Sequence, residues 1–162
     1  AARLGPPDWE AATRAFMTTD TFAKASGTTL DLDGTAVSFA GIVKGSGMIA
    51  PNMATMLAYV FTDAAIAPDV LQEVLTEVTD ETFNCITVDG DTSTSDTLMV
   101  FATGASGMAP IVSRDDPRLD AVAWNAAHAL DRNIALLQEK LAEANREPQE
   151  IRQEIRKDGK AA

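Results

Sequence analysis

The hydrophobic positions change period several times along the chain, and each change marks an element. Trp9, Ala12 and Phe16 are spaced by three and four, the spacing of one helical face, and MTTDTFAK (17–24) then breaks that helix with polar turn residues. From Thr29 to Ile42 the pattern alternates. Leu30, Leu32, Val37, Phe39 and Ile42 flank Asp33-Gly34, a dipeptide suited to a tight hairpin turn, so two strands joined there are expected. Met56 to Phe61 is short and continuously apolar, which suits a strand buried on both faces, with Thr55 at its opening.

Pro68 fits the first position of a helix, and Val70, Leu71, Val74, Leu75 and Val78 follow on one face, predicting a helix that ends near Asp80. Phe83 to Val88 and Leu98 to Phe101 read as two further strands around a polar loop, Asp89 to Asp96. Beyond Pro117 the pattern is helical. Leu130, Ile134, Leu137 and Leu141 are spaced four, three and four apart, a narrow apolar stripe that Pro148 interrupts and Ile151 and Ile155 restart. Mixed elements of this kind predict an α+β layered domain.

Composition narrows the chemistry. The 162 residues are 46% hydrophobic, enough for one domain with a core. No run is long and apolar enough to span a bilayer and no secretory pattern opens the chain, so a cytoplasmic protein without a membrane partner is expected. A formal charge of −11 argues against nucleic-acid binding, which needs clustered Lys and Arg. From Asp131 onward seven acids balance seven bases, so the negative excess lies in residues 1–130.

One cysteine, Cys85, and one histidine, His128, leave no cysteine or histidine metal set. Cys85 sits in the strand-like run and is expected to be a buried, inert thiol. His128 falls on a helix with no assignable partner and reads as structural or exposed. Asp89, Asp91, Ser93 and Asp96 loosely suggest a calcium loop but lack the glycine and late glutamate of that motif, so no metal is expected.

Thr55 is the sharpest candidate. A threonine hydroxyl needs an adjacent base to act as a nucleophile, and an N-terminal threonine supplies one in its own α-amine. Reaching that state requires cleavage after Ala54, by attack of the hydroxyl on the Ala54 carbonyl in a strained turn; small Ala54 and nearby Gly45 and Gly47 permit one. Spacing alone favours an ordinary threonine at a strand start.

KGSGMIAPNMATMLAYVFTDA (44–64) resembles the processing segment of the ornithine acetyltransferase family, the bifunctional glutamate N-acetyltransferases of arginine biosynthesis. FNCITVDGDTSTSDT (83–97) is similar to a second signature of that family and MTTDTFAK to a third, in the same order along the chain. The resemblance implies self-cleavage between Ala54 and Thr55. It further implies that Thr55 takes an acetyl group from N-acetylornithine as an acetyl-threonine ester and passes it to glutamate, with no cofactor. Lys44 and Thr18 are then the expected substrate-binding residues alongside Thr55, Thr18 being chosen over Thr19; otherwise Lys44 is a solvated loop lysine and the threonines a turn capped by Asp20.

The implied fold is a layered α/β/β/α-type sandwich, and the implied assembly a heterotetramer of two α and two β chains. The likeness is clearest from Trp9 to Gly104 and fades after Leu130, so residues 1–119 are expected to form the family-like part and 120–162 a charged helical tail. Relatives are longer, with a Thr-Gly oxyanion hole ahead of this stretch and an RDGEGATK-like segment behind it that RKDGKAA (156–162) only faintly matches. An incomplete sandwich with impaired activity is the corresponding expectation. The alternative is a non-catalytic remnant, or an interaction module, using the Leu130–Leu141 stripe.

Overall fold

A computed structural model describes residues 8–50, 56–87, 90–91 and 94–124. Four strands form one sheet in the order β1-β2-β3-β4: β1 (Lys24–Leu32), β2 (Thr35–Lys44), β3 (Leu57–Thr62) and β4 (Thr97–Ala102). The first three are antiparallel in succession, and β3 and β4 are parallel. Parallel neighbours need a crossover, which α2 (Pro68–Glu81) supplies. The fold is therefore mixed α+β.

Asp33 and Gly34 make the β1–β2 turn, both at positive φ (54° and 81°), and the Asp31 carboxylate accepts the Gly34 N–H at 2.7 Å. Two left-handed residues match the twist of the flanking strands, which is why this dipeptide closes the hairpin so tightly. The strands extend further than alternation alone suggests, because residues 24–28 and Val43 lengthen the pairing of β1 with β2, and Lys44 pairs with Leu57 of β3.

One face of the sheet carries Val37, Phe39, Ala58, Val60 and Thr62, all buried; α2 lays Val70 and Val74 into one cluster with Val37 and Phe39, while Ala58 and Val60 pack in a second with Phe83 and Ile86. Pro68 opens α2 at a position where no backbone donor is needed. On the opposite face α1 (Trp9–Phe16), capped by Asp8 through the Ala11 N–H, sets Trp9 5.4 Å from Phe61 and Phe16 5.4 Å from Tyr59. Phe61 stacks on Phe101 at 5.1 Å, yet Met99 and Phe101 remain 47% and 43% exposed.

One expected element is corrected. Phe83–Cys85 is a single 3-10 turn, not the start of a strand. Thr79 and Thr82 hydroxyls donate back to the Leu75 and Val78 carbonyls as α2 ends, and the chain must turn at once: Cys85 N–H bonds Thr82 O and Ile86 N–H bonds Phe83 O. A 3-10 turn puts residues three apart on one side, so Phe83 and Ile86 are both buried. Cys85 points outward instead and is exposed, contrary to the buried thiol expected from the strand pattern.

Residues 118–124 are helical, with Leu119 and Val122 in the core. At their start Arg118 grips both oxygens of Asp116 at 2.9 and 2.6 Å and donates to Ala109 O at 2.9 Å. The Arg118 guanidinium, then its N–H, hold the Asp116 carboxyl at about 2, below its ordinary 3.8. A depressed carboxyl stabilises the fold above its unfolded value and loses that contribution as pH falls. Asp116 is thus expected to support the fold fully above about pH 4 and to cease doing so as the pH approaches 2. Carboxyl NMR titration checks this, and in Arg118→Ala the Asp116 midpoint should return toward 3.8.

Among the described residues no helix is long and apolar enough to cross a membrane.

Candidate functional site

The strand ends bring the motifs together. Antiparallel pairing puts the start of β1 beside the end of β2, with Lys24 opposite Val43, and the start of β3 beside Lys44, with Leu57 opposite it. Parallel pairing then sets Thr97, the first residue of β4, next to Leu57. Segments 17–24, 44–50, 56–57 and 96–97 therefore share one end of the sheet.

At this end the Lys44 ammonium donates to the Thr18 hydroxyl at 3.4 Å, and both side chains are accessible. Thr19 has a different neighbour. Its hydroxyl lies 3.0 Å from the Ser46 hydroxyl, which in turn donates to the Thr19 carbonyl at 3.2 Å. The two segments are thus joined side chain to side chain at two adjacent positions.

Beneath them Asp20 is buried. Its carboxylate accepts the Gly45 N–H at 2.8 Å, the Thr18 N–H at 3.3 Å and the Lys24 ammonium, which sits 4.7 Å over the Phe22 ring. Burial by itself raises the Asp20 pKa; the bonds from Gly45, Lys24 and Thr18 outweigh it and bring the carboxyl below its ordinary value. Asp20 therefore stays charged at neutral pH inside the fold.

Ala54 and Thr55 lie outside the described residues, as do His128 and the Leu130, Ile134, Leu137 and Leu141 stripe. The residue that follows Thr55 is held on both sides of its backbone. Met56 N–H donates to Asp96 Oδ1 at 2.8 Å, and Thr97 N–H donates to Met56 O at 3.0 Å. Met56 itself is buried beside Ile49, Ala58 and Phe83. Asp96, read from the sequence only as part of a polar loop, is thus the carboxylate next to the Thr55–Met56 peptide.

Gly45 has φ 151° and Met48 φ 53°. The backbone leaves β2 through a left-handed position as soon as Lys44 has been placed, and glycine there avoids the clash a side chain would meet. Residues 8–50, 56–87, 90–91 and 94–124 contain no cluster of three or more His, Cys, Asp or Glu able to hold a metal.

The ArgJ family model matches residues 1–162. The arginine biosynthesis bifunctional protein ArgJ of Ruegeria pomeroyi is 63% identical over 107 residues, covering 66% of this chain and 26% of that protein. The protein of the same name from Caulobacter vibrioides is 58% identical over 118 residues, covering 73% and 29%. That from Nitrobacter winogradskyi is 53% identical over 124 residues, covering 75% and 30%. The chain thus spans between about a quarter and a third of the length of these curated relatives. A crystal structure of the ArgJ protein from Bacillus halodurans is 37% identical, with a TM-score of 0.44, over 47% of this chain and 35% of that one.

Proposed function

The chain belongs to the ArgJ family, and on that premise we propose that it carries the self-cleavage site and the acetyl-accepting threonine of an acetyltransferase in arginine biosynthesis. The Thr55 hydroxyl attacks the Ala54 carbonyl, the peptide becomes an ester, and water hydrolyses that ester to leave Thr55 with a free α-amine. The amine then takes the hydroxyl proton as Thr55 attacks the acetyl carbonyl of N2-acetyl-L-ornithine, forming O-acetyl-threonine and releasing ornithine. The amine of glutamate attacks this ester in turn, giving N-acetylglutamate and restoring the hydroxyl. No cofactor takes part.

The observation that carries this reading is the meeting of Lys44 and Thr18, 26 residues apart in sequence and 3.4 Å apart in space, beside the strand that Thr55 enters. An accessible ammonium next to a hydroxyl fits a substrate carboxylate, with Lys44 supplying charge and Thr18 a directed hydrogen bond. Asp96 and Thr97, by fixing both polar groups of the Met56 backbone, support a nucleophile that after cleavage is tethered from one side alone.

The same reading makes the outer face of the sheet an inner layer. Met99 and Phe101, exposed beside the part of this face that α1 covers, form an apolar surface that a second sheet would cover in an α/β/β/α arrangement, within a cytoplasmic assembly of two α and two β chains.

The test is the intact mass of the purified chain during prolonged incubation at neutral pH. Two fragments parted between Ala54 and Thr55 are expected. A chain that stays whole, or one that splits at another bond, contradicts the assignment.

A further inference from the structure

Asp20 and Lys24 form an ion pair whose side chains are each 1% exposed, and neither takes part in the acetyl exchange. Stability alone does not account for such a pair, because the cost of desolvating two charges offsets most of their attraction, and apolar side chains of similar size often serve as well. Its geometry is more informative. Asp20 Oδ1 accepts the Gly45 N–H at 2.8 Å together with the Lys24 ammonium, and Oδ2 accepts the Thr18 N–H at 3.3 Å.

The first of those N–H groups belongs to the peptide that joins Lys44 to Gly45, and the second to Thr18 itself. One carboxylate thus ties down the backbone of both residues whose side chains meet 3.4 Å apart. Lys24 is anchored independently by its register with Val43 at the start of β1 and by the Phe22 ring, so the carboxylate it holds cannot drift. Asp20 bonds the backbone after Lys44 and leaves the Lys44 ammonium to the Thr18 hydroxyl, its side-chain partner among the described residues. The negative charge inside therefore fixes the positive charge outside without neutralising it by direct contact.

We propose that Asp20 is the positioning residue of the substrate pocket: through the Gly45 and Thr18 N–H groups it sets where the Lys44 ammonium and the Thr18 hydroxyl meet, and Lys24 holds it in place. This role rests on the reading that Lys44 and Thr18 bind a substrate carboxylate. Its consequence is a ligand affinity that depends on a side chain the ligand never touches. Removing both acceptor oxygens frees two backbone segments at once, whereas removing the charge while keeping one acceptor oxygen frees only the Thr18 segment.

The experiment compares three full-length chains. D20L/K24M removes both charges and the acceptor and fills the space with apolar groups. D20N/K24M also removes both charges but retains an Oδ1 acceptor for the Gly45 N–H. Thermal unfolding by circular dichroism reports folding, and amide NMR titration with N2-acetyl-L-ornithine reports binding. D20N/K24M, which keeps the Gly45 acceptor but turns its Nδ2 toward the Thr18 N–H, is expected to bind between wild type and D20L/K24M, and folded D20L/K24M about tenfold or more weakly than wild type. A purely structural pair would show no such difference between two folded variants.

Binding by folded D20L/K24M at wild-type strength overturns the positioning role and leaves the substrate reading intact. A wild-type chain that does not bind overturns the substrate reading, and the positioning role with it. Should D20L/K24M fail to fold, D20A/K24M is the second acceptor-free variant and is judged by the same comparison.

Discussion

Thr55→Ala is expected to leave the chain in one piece and without acetyl transfer, while Thr55→Ser cuts and transfers at a reduced rate. The argument is one of chemistry. Alanine removes the only atom that could attack the Ala54 carbonyl in this scheme, and with it the later acetyl acceptor. Loss of a nucleophile that acts in concert with its base lowers the rate by on the order of 10⁶-fold in a hydrolase, which here means no detectable turnover. Serine restores the hydroxyl but not the methyl that limits its rotation, so activity returns in part. A Thr55 that merely opened β3 would behave differently: alanine would then cost some stability and leave any cleavage unaltered. Intact mass and an acetyl-transfer assay on the same samples separate the two cases. Asp96→Ala should slow cleavage without abolishing it, because the Met56 N–H loses its acceptor while the Thr97 bond to Met56 O survives.

Phe83→Ala should lower the unfolding free energy by about 3–5 kcal/mol, the range for truncating a buried aromatic ring. Phe83 is 1% exposed and packs in the cluster of Val43, Ile49, Met56, Ala58, Val60 and Ile86. It plugs the core where the chain turns out of α2. Two residues on, Cys85→Ala should change stability by less than about 0.5 kcal/mol, since that side chain faces solvent. Urea denaturation of both variants checks the contrast. Similar losses at the two positions would contradict the 3-10 turn and favour a strand.

That contrast also shows where sequence reasoning ran short. Alternation around Asp33-Gly34, the short apolar runs and Pro68 each act within a few residues, so the hairpin, β3, α2 and β4 were legible, although β3 alternates buried and half-buried residues instead of burying both faces. Phe83 to Val88 was read as a strand because β-favouring residues are plentiful there; the end of the 14-residue α2 just before it imposed a 3-10 turn instead. Propensity gave way to connectivity.

The site divides in the same manner. Lys44 and Thr18 were singled out through motif resemblance, and the antiparallel register of β1 with β2 supplies the reason they meet. Asp20 and Lys24 lie in the same motif, but opposite charges four apart ordinarily signal an exposed pair, and nothing local reveals that both are buried. Asp96 was legible only as loop polarity, because its partner Met56 is forty residues away and reaches it through parallel pairing. Burial and long-range pairing are properties of the folded sheet. The joining of Thr19 to Ser46 was missed for the same reason.

The central claim is that Thr55 carries an acetyl group between two amino acids. It is tested most directly by incubating the cleaved chain with N2-acetyl-L-ornithine and taking the mass of the fragment that begins at Thr55. One added acetyl group, located on the Thr55 side chain by fragmentation and removed when L-glutamate is added, is the expected result. A cleaved fragment whose mass does not change, or an acetyl group that glutamate cannot remove, would contradict it.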